Sequence, residues 1–408
     1  MIIRKIKPEE LKRTLELFAI SFEFSADLPK SPEETFADIT QNPKSREDAF
    51  WGERWAAFED DDKTMMSYFI DQPFPVQFDG NVYKMTGIGG VATLPQYRKS
   101  GGIRGCFEAA LPDMYENGVV FSYLYPFSTA YYRKFGYEMG CERWRHHIQL
   151  SFLKHFPVSG GCSLVEPGNF MEEEIKQIYR VWQNKYNMMI ANEDYEFAWI
   201  GKSNPVKDQI FTYVYKSGEG EPMGYMTVKQ SIEPDGRNLQ CTRFVCTCPE
   251  GLKGLLNVLI ALGSDHAYAT LELPYDIDMT MICPEWAMEA IVSRRYWSGM
   301  VRVVNVEKVL LGAKYRGDGT VSIGITDKQI AANCGTFTVT FKDGKAVTVE
   351  KSDSAADVSM GINEFSRLII GTCDIESLPY MSNVTVSNEA APIDRVFYRK
   401  PNLITEYF

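Results

Sequence analysis

The chain has 408 residues, which at about 150 residues per domain allows two or three domains with cores of their own. Hydrophobic residues make up 45% and charged residues 24%, as in globular proteins, which excludes a wholly disordered chain. With 54 acidic and 43 basic residues the net charge is −11, so nucleic acid is not an expected partner. The acidic balance is also compatible with a role in solubility alone. If it serves ligand binding, the negative electrostatic field of the protein favours cationic small molecules or basic peptides.

The cysteines and histidines predict neither a disulfide framework nor a metal site. The nine cysteines include no Cys-x-x-Cys pair, and the four histidines show no metal-ligand spacing. The first eight residues lack the apolar core of a signal peptide, and the apolar run at 254–262 is shorter than the ~20 residues that cross a bilayer. We therefore expect a protein of the reducing cytoplasm that has no membrane partner.

Up to about residue 145 the chain alternates helical and strand periods, which is typical of an α/β fold. The predicted elements are a strand at 2–6, a helix from Pro8, a connection with short helices at 24–50, a hairpin and glycine-interrupted strand at 80–93, a helix at 101–117, a strand at 119–125, and a short helix at 128–135 ended by Gly136.

Two further regions follow. The region at about 145–295 is again mixed, with helices predicted at 171–186 and 251–263 and strands at 210–215 and 224–229. The last region alternates apolar and polar residues with period two at 301–304, 319–325, 335–341 and 346–349, before a helix at 362–370. Lys342-Asp343-Gly344-Lys345 predicts a tight turn between two of these strands.

The segment 87–104 carries the strongest functional signal. Glycines in a strand precede Pro95, and a basic, glycine-rich run then opens a helix: Arg98-Lys99-Ser100-Gly101-Gly102-Ile103-Arg104. This layout suits an anionic ligand, because N–H groups at a helix start are unpaired and the helix dipole adds positive charge. The spacing matches neither a P-loop nor a dinucleotide-binding fingerprint, and by itself the run is also compatible with a solvated surface loop.

Together with the downstream run Tyr132-Arg133-Lys134-Phe135-Gly136-Tyr137-Glu138, this segment resembles the GNAT acetyltransferase superfamily. The loop from Val91 to Gly101, the Tyr132 run and the aromatic end Tyr407-Phe408 resemble more narrowly the enhanced-intracellular-survival (Eis) family. The resemblance covers the whole chain. Ile103 departs from the pattern, since it stands where the superfamily usually has a second Gly or Ala, and Pro112 lies inside a predicted helix at a cost of ~3 kcal/mol.

The resemblance implies a mixed α/β architecture of tandem GNAT-like domains followed by a sterol-carrier-protein-like α+β domain. It implies a catalytic domain at 1–145, a degenerate GNAT-like domain at 146–297, and a sterol-carrier-protein-like domain at 298–408 that ends in the catalytic C-terminus. Homo-oligomers, trimers or hexamers, are implied as well.

The resemblance also implies acetyl-CoA as the acyl donor and no metal. The strand residues would pair with the pantetheine arm, and the amides from Lys99 to Arg104 would hold the pyrophosphate. The implied coenzyme-binding residues are Val91, Ala92, Thr93, Arg98, Lys99, Ser100, Gly101, Gly102, Ile103, Arg104, Phe127 and Ser128.

The implied reaction is direct attack of an amine on the thioester, with Tyr132 as general acid and the carboxylate of Phe408 as general base. A phenol of pKa ~10 protonating a thiolate of pKa ~8.5 is uphill by only ~2 kcal/mol. A terminal carboxylate of pKa ~3.5 is a weak base that needs burial or a water relay. From the residues alone Tyr131, Tyr132 and Tyr137 are equivalent choices, and a chain end is usually frayed.

The acceptor implied by the resemblance is a cationic amine, such as an aminoglycoside, for which Glu23, Phe24 and Glu406 are candidate binding residues by position. Each of these three is also compatible with a solvated surface position. Two alternatives stay open: a protein-lysine acetyltransferase, and a non-catalytic lipid- or partner-binding protein whose acetyltransferase domain is vestigial.

Overall fold

The computed structural model describes residues 1–25, 52–200, 204–233, 236–283, 289–352 and 354–408. The predicted connection at 24–50 lies almost wholly outside this part of the chain. Contacts divide the chain into two units. The first comprises Met1–Cys141, Ser298–Lys400 and Ile404–Phe408, and the second comprises Glu142–Trp297 and Pro401–Leu403.

The strands are β1 (Ile2–Lys5), β2 (Glu53–Phe58), β3 (Met65–Phe78), β4 (Asn81–Thr93), β5 (Phe121–Leu124), β6 (Glu138–Gln149), β7 (Gly161–Leu164), β8 (Ile210–Lys216), β9 (Pro222–Glu233), β10 (Gly236–Cys246), β11 (Tyr268–Pro274), β12 (Ile291–Val303), β13 (Gly319–Thr326), β14 (Gly335–Lys342), β15 (Lys345–Ser352), β16 (Val358–Gly361) and β17 (Thr385–Val386). The helices are α1 (Leu11–Phe22), α2 (Gly102–Glu116), α3 (Thr129–Arg133), α4 (Glu172–Lys185), α5 (Glu193–Ile200), α6 (Pro205–Asp208), α7 (Pro249–Leu262), α8 (Val306–Gly312) and α9 (Ile362–Ile369). The predicted mixed α/β class is confirmed.

The main sheet of the first unit runs in the order β1-β2-β3-β4-β5, followed by the last residues of β12. Its first four strands pair antiparallel, β5 lies parallel to β4, and Met300–Val303 pair antiparallel with β5. A parallel neighbour requires a crossover, and α2 supplies it.

Helix α2 packs one face on this sheet, through apolar residues three or four positions apart. Phe107 stands at the centre, with ring centroids 4.7 Å from Phe69 of β3 and 4.5 Å from Phe135. The helix continues through Pro112, which is exposed. Proline donates no N–H, so the carbonyl of the residue four positions before it loses its helical hydrogen bond.

A second sheet of the first unit has the order β15-β14-β13-β16-β17. The predicted period-two alternation explains its register, because Val321 and Ile323 of β13 and Phe337 and Val339 of β14 are buried while the residues between them are less so. Asp343 and Gly344 have positive φ angles of 51° and 74° in the predicted turn between β14 and β15.

The second unit has its own sheet, in the order β6-β11-β10-β9-β8-β7. Helix α7 packs on it through residues that include Leu252, Leu255 and Leu259. Strand β11 lies parallel to β10, and β10 is antiparallel to β9. The order β9-β10-α7-β11 thus repeats the order β3-β4-α2-β5 of the first unit.

Candidate active site

Strand β4 changes character at a bulge. Ile70 of β3 opposes Gly89 and Tyr68 opposes Ala92, so Gly90 and Val91 together face one residue of β3. Gly90 takes up the irregularity with a φ of 59°, which favours glycine. Pairing with β5 extends only over Met85–Ile88. Among the described residues this pairing ends at Ile88, so the β5-facing edge of β4 at 89–93 is a place where an extended ligand could pair with main-chain groups.

The predicted anion loop precedes α2. Lys99 and Gly101 adopt left-handed φ angles of 71° and 93°, and the side chains of Arg98, Lys99 and Arg104 are exposed. The first N–H groups of α2 have no carbonyl partner within the helix, so they point at whatever occupies this end. A Cβ atom on Gly101 would meet no atom of the described residues within 4 Å. This cradle of amides, cations and open space fits a pyrophosphate group.

Gly102 is also required by the packing of α2. It is buried, and a Cβ atom there would come within 2.4 Å of Ser67 Oγ and 3.1 Å of the Ala57 Cβ. Its missing side chain therefore lets α2 pack closely on β2 and β3. Ile103 is buried in the core beneath the loop, whereas Ser100 is exposed and its N–H donates to Tyr97 O.

Tyr132 lies on α3 with only 2% of its surface exposed. The Ser128 hydroxyl caps this helix by accepting from Tyr131 N, and Phe127, 73% exposed, places its ring 5.3 Å from that of Tyr132. Burial raises the pKa of Tyr132 above its ordinary value, and the neighbouring phenols of Tyr131 and Tyr137 act in the same direction. The phenol therefore stays protonated through neutral pH, as a general acid must.

The chain end lies on β4. A Cβ atom on Gly87 would come within 2.6 Å of the Phe408 ring, and one on Gly89 within 2.8 Å of the terminal carboxyl carbon. The Phe408 ring packs with Phe74 at 5.2 Å and with Tyr125 at 5.5 Å. The two strand glycines thus make a seat for the terminal residue, with its carboxylate beside the bulge.

Residues just before the end hold this tail in place. The Tyr125 hydroxyl donates to Glu406 O, and its ring stacks on Tyr407 at 4.5 Å. The Glu406 side chain is 1% exposed and accepts from Thr405 Oγ1 at 3.0 Å.

Sequence reasoning missed Tyr125 and Phe74. The available signal was Gly87 and Gly89 at period two, since two glycines on one face of a strand indicate a bulky neighbour there.

The candidate acceptor residues Glu23 and Phe24 follow α1. Ser21 Oγ donates to Thr93 O at 3.3 Å, which ties the end of α1 to the end of β4. Glu23 is exposed and left-handed at a φ of 57°; Phe24 is 45% exposed and contacts Phe18 edge-on. The structure therefore brings the end of α1, which precedes Glu23 and Phe24, to the end of β4. In the described part of the chain no group of three or more His, Cys, Asp or Glu could hold a metal ion, and no helix is long and apolar enough to span a membrane.

Residues 2–140 match the family model of an acetyltransferase (GNAT) domain. The first unit therefore contains a GNAT acetyltransferase domain. Residues 306–404 match the model of a sterol carrier protein domain. The protein is thus an acyltransferase of the GNAT type with a C-terminal sterol carrier protein domain. Among curated proteins, no match was found.

Solved structures share the fold over the full length of this chain. A probable N-acyltransferase from Enterococcus faecalis V583 superposes with a TM-score of 0.83 at 22% identity, covering 100% of this chain and 99% of its own. A GCN5-related N-acetyltransferase from Anabaena variabilis has a TM-score of 0.82 at 17% identity, with both chains covered completely. Eis1 from Mycobacterium abscessus has a TM-score of 0.77 at 16% identity, again with both covered completely. The predicted Eis-like resemblance is confirmed.

The second unit lacks the glycine-rich loop motif of the first unit. Helix α7 occupies the place of α2, but it begins at Cys248-Pro249-Glu250 instead of a glycine pair. The Glu250 carboxylate accepts from Ser159 N at 3.1 Å and from the Tyr215 hydroxyl at 2.7 Å. The Glu250 carboxylate thus lies at the start of α7. At the corresponding start of α2, a Cβ atom on Gly101 would meet none of the described atoms within 4 Å.

Proposed function

We propose that this protein is an acetyl-CoA-dependent N-acetyltransferase that acetylates primary amines of cationic acceptors such as aminoglycosides, at one or more positions. The observation that carries the proposal is the seat of the chain end. The Phe408 carboxyl group lies over Gly89, next to the bulge at Gly90 and Val91 of β4. From this position we infer a catalytic role for the carboxylate.

Donor binding follows from the strand and the loop. Acetyl-CoA supplies an activated acyl group as a thioester. Val91, Ala92 and Thr93 pair with the extended pantetheine arm, and the amides and cations from Arg98 to Arg104 hold the pyrophosphate. Phe127 and Ser128, at the start of α3, line the same site from the side of Tyr132.

The acid and the base are separate groups of this chain. Tyr132 donates its phenolic proton to the leaving thiolate. Its burial keeps the phenol protonated before the reaction, but the raised pKa also makes this proton transfer less favourable than it would be for an ordinary phenol. The Phe408 carboxylate accepts the proton that the attacking amine loses, directly or through one water molecule. The transfer needs no acyl-enzyme, since the amine attacks the thioester itself.

The acceptor is drawn in as a cation. Glu23 and Phe24 present a carboxylate and an aromatic ring at the end of α1, which is the combination that attracts an ammonium group. Glu406 is proposed to contribute from the buried side, beside the terminal carboxylate.

We further propose the cytoplasm as location, a trimer or hexamer as assembly, and a division into domains at 1–145, 146–297 and 298–408.

A panel of amines with detection of the released thiol tests this function. Kanamycin A, neomycin B, spermidine and a lysine-containing peptide would be offered with acetyl-CoA, and binding of acetyl-CoA alone would be measured by calorimetry. We expect micromolar binding and thiol release with the aminoglycosides. Release with the peptide alone would favour protein lysine as acceptor, and failure to bind acetyl-CoA at micromolar levels would overturn the proposal in favour of a non-catalytic protein.

The role of the chain end is tested separately by extending it. A hexahistidine tail joined to Phe408 through a glycine-serine linker should abolish turnover, because the terminal carboxylate then becomes an amide and the tail no longer fits the seat over Gly89. The same tag at Met1, which is half exposed, is the matched control. Full activity of the C-terminally extended protein, with the tail shown to be intact by mass spectrometry, would exclude the carboxylate as base.

A further inference from the structure

Helix α3, which carries Tyr132, is too short to hold its own shape. It has five residues, and isolated helices below ~12–15 residues are marginal in water. The last carbonyl groups of a helix also have no partner within it. The turn that follows is hydrogen bonded to Tyr132 itself, because its carbonyl accepts from Phe135 N at 2.9 Å and from Tyr137 N at 3.4 Å. Contacts that hold this turn in place therefore also hold the main chain of Tyr132 in place.

Side chains from the C-terminal part of the same unit hold the turn carbonyls. Asn363 Nδ2 donates to Arg133 O at 3.0 Å and to Tyr137 O at 2.9 Å. Gln329 Nε2 donates to Lys134 O at 2.9 Å. A third donor, Arg302 Nη1, reaches Phe135 O at 2.7 Å. We call Arg302, Gln329 and Asn363 the turn clamp.

Arg302 is held rigidly in the clamp. Its guanidinium is fully buried, and Nη2 donates to both carboxylate oxygens of Asp327, at 2.9 and 2.7 Å. Asp327 also accepts from the main chain of Gln329 and from Asn333 Nδ2, so two of the clamp residues, Arg302 and Gln329, are linked through Asp327. Gly136 makes room for this arrangement, since a Cβ atom there would overlap Arg302 Nη1 at 1.6 Å.

We infer that the sterol carrier protein domain takes part in acetyl transfer by positioning the general acid, through Gln329 and Asn363 of that domain and Arg302 of the strand before it. This inference rests on the proposed function of Tyr132. The clamp residues are positioning residues, because they bind main-chain carbonyl groups of the turn and not the reacting atoms. The sterol carrier protein domain would thereby position the turn at 133–137 in addition to leading into the chain end at Phe408.

Asn363→Ala is the first test, because it removes two hydrogen bonds without leaving a buried charge. We expect kcat to fall about tenfold to hundredfold, with the KM for acetyl-CoA within about twofold of the native value. In the protein without acetyl-CoA, amide hydrogen exchange in residues 129–137 should become faster. Asn383→Ala is the matched control, since Asn383 is exposed and donates to Glu364 instead of the turn.

The same change in a Tyr132→Phe background separates positioning from general structural support. If the clamp acts through the Tyr132 hydroxyl, Asn363→Ala costs little further kcat once that hydroxyl is gone. A loss of equal size in both backgrounds, or unchanged exchange at 129–137, would overturn the inference. Native kcat in Tyr132→Phe would instead overturn the proposed function. Gln329→Ala, which removes a single exposed hydrogen bond, gives the same readouts should Asn363→Ala fold poorly.

Discussion

The terminal carboxyl carbon of Phe408 lies so close to Gly89 that a single methyl group on that glycine would approach it to 2.8 Å. Phe408 follows Gly89 by 319 positions in the sequence, yet the chain end and β4 are in contact within the first unit. The absence of a side chain at Gly89 is what allows a carboxylate to lie flat on the strand beside the bulge.

Gly89→Ala should therefore displace the base while leaving the donor site intact. We expect kcat to fall about tenfold or more and the affinity for acetyl-CoA to change little, because the loop at Arg98–Gly102 is untouched. Steady-state kinetics with an active amine of the panel, together with calorimetry, would measure both. The control is Gly161→Ala in β7, where a Cβ atom meets no atom of the described part of the chain within 4 Å. Native kcat in Gly89→Ala would show that the position of the carboxylate does not matter.

The pH dependence of kcat should report on Tyr132. A general acid works in its protonated form, and burial raises the pKa of Tyr132 above the ordinary value of ~10. The wild-type enzyme should therefore show no alkaline loss of kcat from this group up to about pH 10, and Tyr132→Phe should lower kcat about 10²–10⁴-fold at every pH.

Tyr131→Phe is the matched control for that experiment. Tyr131 is only partly buried, and its ring lies 5.4 Å from that of Tyr132. It should keep kcat within a few-fold of wild type. A larger loss in Tyr131→Phe than in Tyr132→Phe would move the acid to the neighbouring phenol.

The two loop glycines should respond differently to the same substitution. Gly102→Ala places a Cβ atom 2.4 Å from Ser67 Oγ and should lower the melting temperature. In Gly101→Ala the Cβ atom meets none of the described atoms within 4 Å, so the strain comes from the left-handed backbone. Ser67→Ala should restore part of the stability lost in Gly102→Ala, since it removes the nearest clashing atom. Thermal unfolding of the three single variants and the double variant measures this. Equal losses in Gly101→Ala and Gly102→Ala would contradict the packing role of Gly102.

The sequence predicted the loop, the Tyr132 helix and the alternating strands of the last region, because each depends on local spacing. It did not predict β2 or β3. Strand β3 contains Pro73 and Pro75, and proline within a run argues against a strand, yet both lie paired against β4. Contacts such as Arg302 with Phe135 and Phe408 with Gly89 join distant parts of the chain, and local patterns carry no information on which distant segments meet.

Asp71 provides a stability test with a defined sign. Burial, together with the charge of Glu53, raises the pKa of Asp71 to about 8, although its carboxylate accepts from Glu53 N at 3.2 Å. In the unfolded chain an aspartate ionises near pH ~3.9. Between these values the folded state binds more protons than the unfolded state, so this group makes the free energy of unfolding fall as the pH rises from about 4 to about 8. Asp71→Asn keeps an acceptor for Glu53 N and cannot ionise.

The Asp71→Asn variant should therefore gain stability relative to wild type as the pH rises from 5 to 8, as measured by urea unfolding at a series of pH values. Asp61→Asn is a control in which the pKa of the replaced carboxyl group is shifted in the opposite direction. Hydrogen bonds from Thr64 and Lys63 lower the pKa of exposed Asp61, so its charged form favours the folded state and its replacement should cost stability near neutral pH. A stability difference between Asp71→Asn and wild type that stays constant from pH 5 to 8 would mean that Asp71 is ionised in the folded protein.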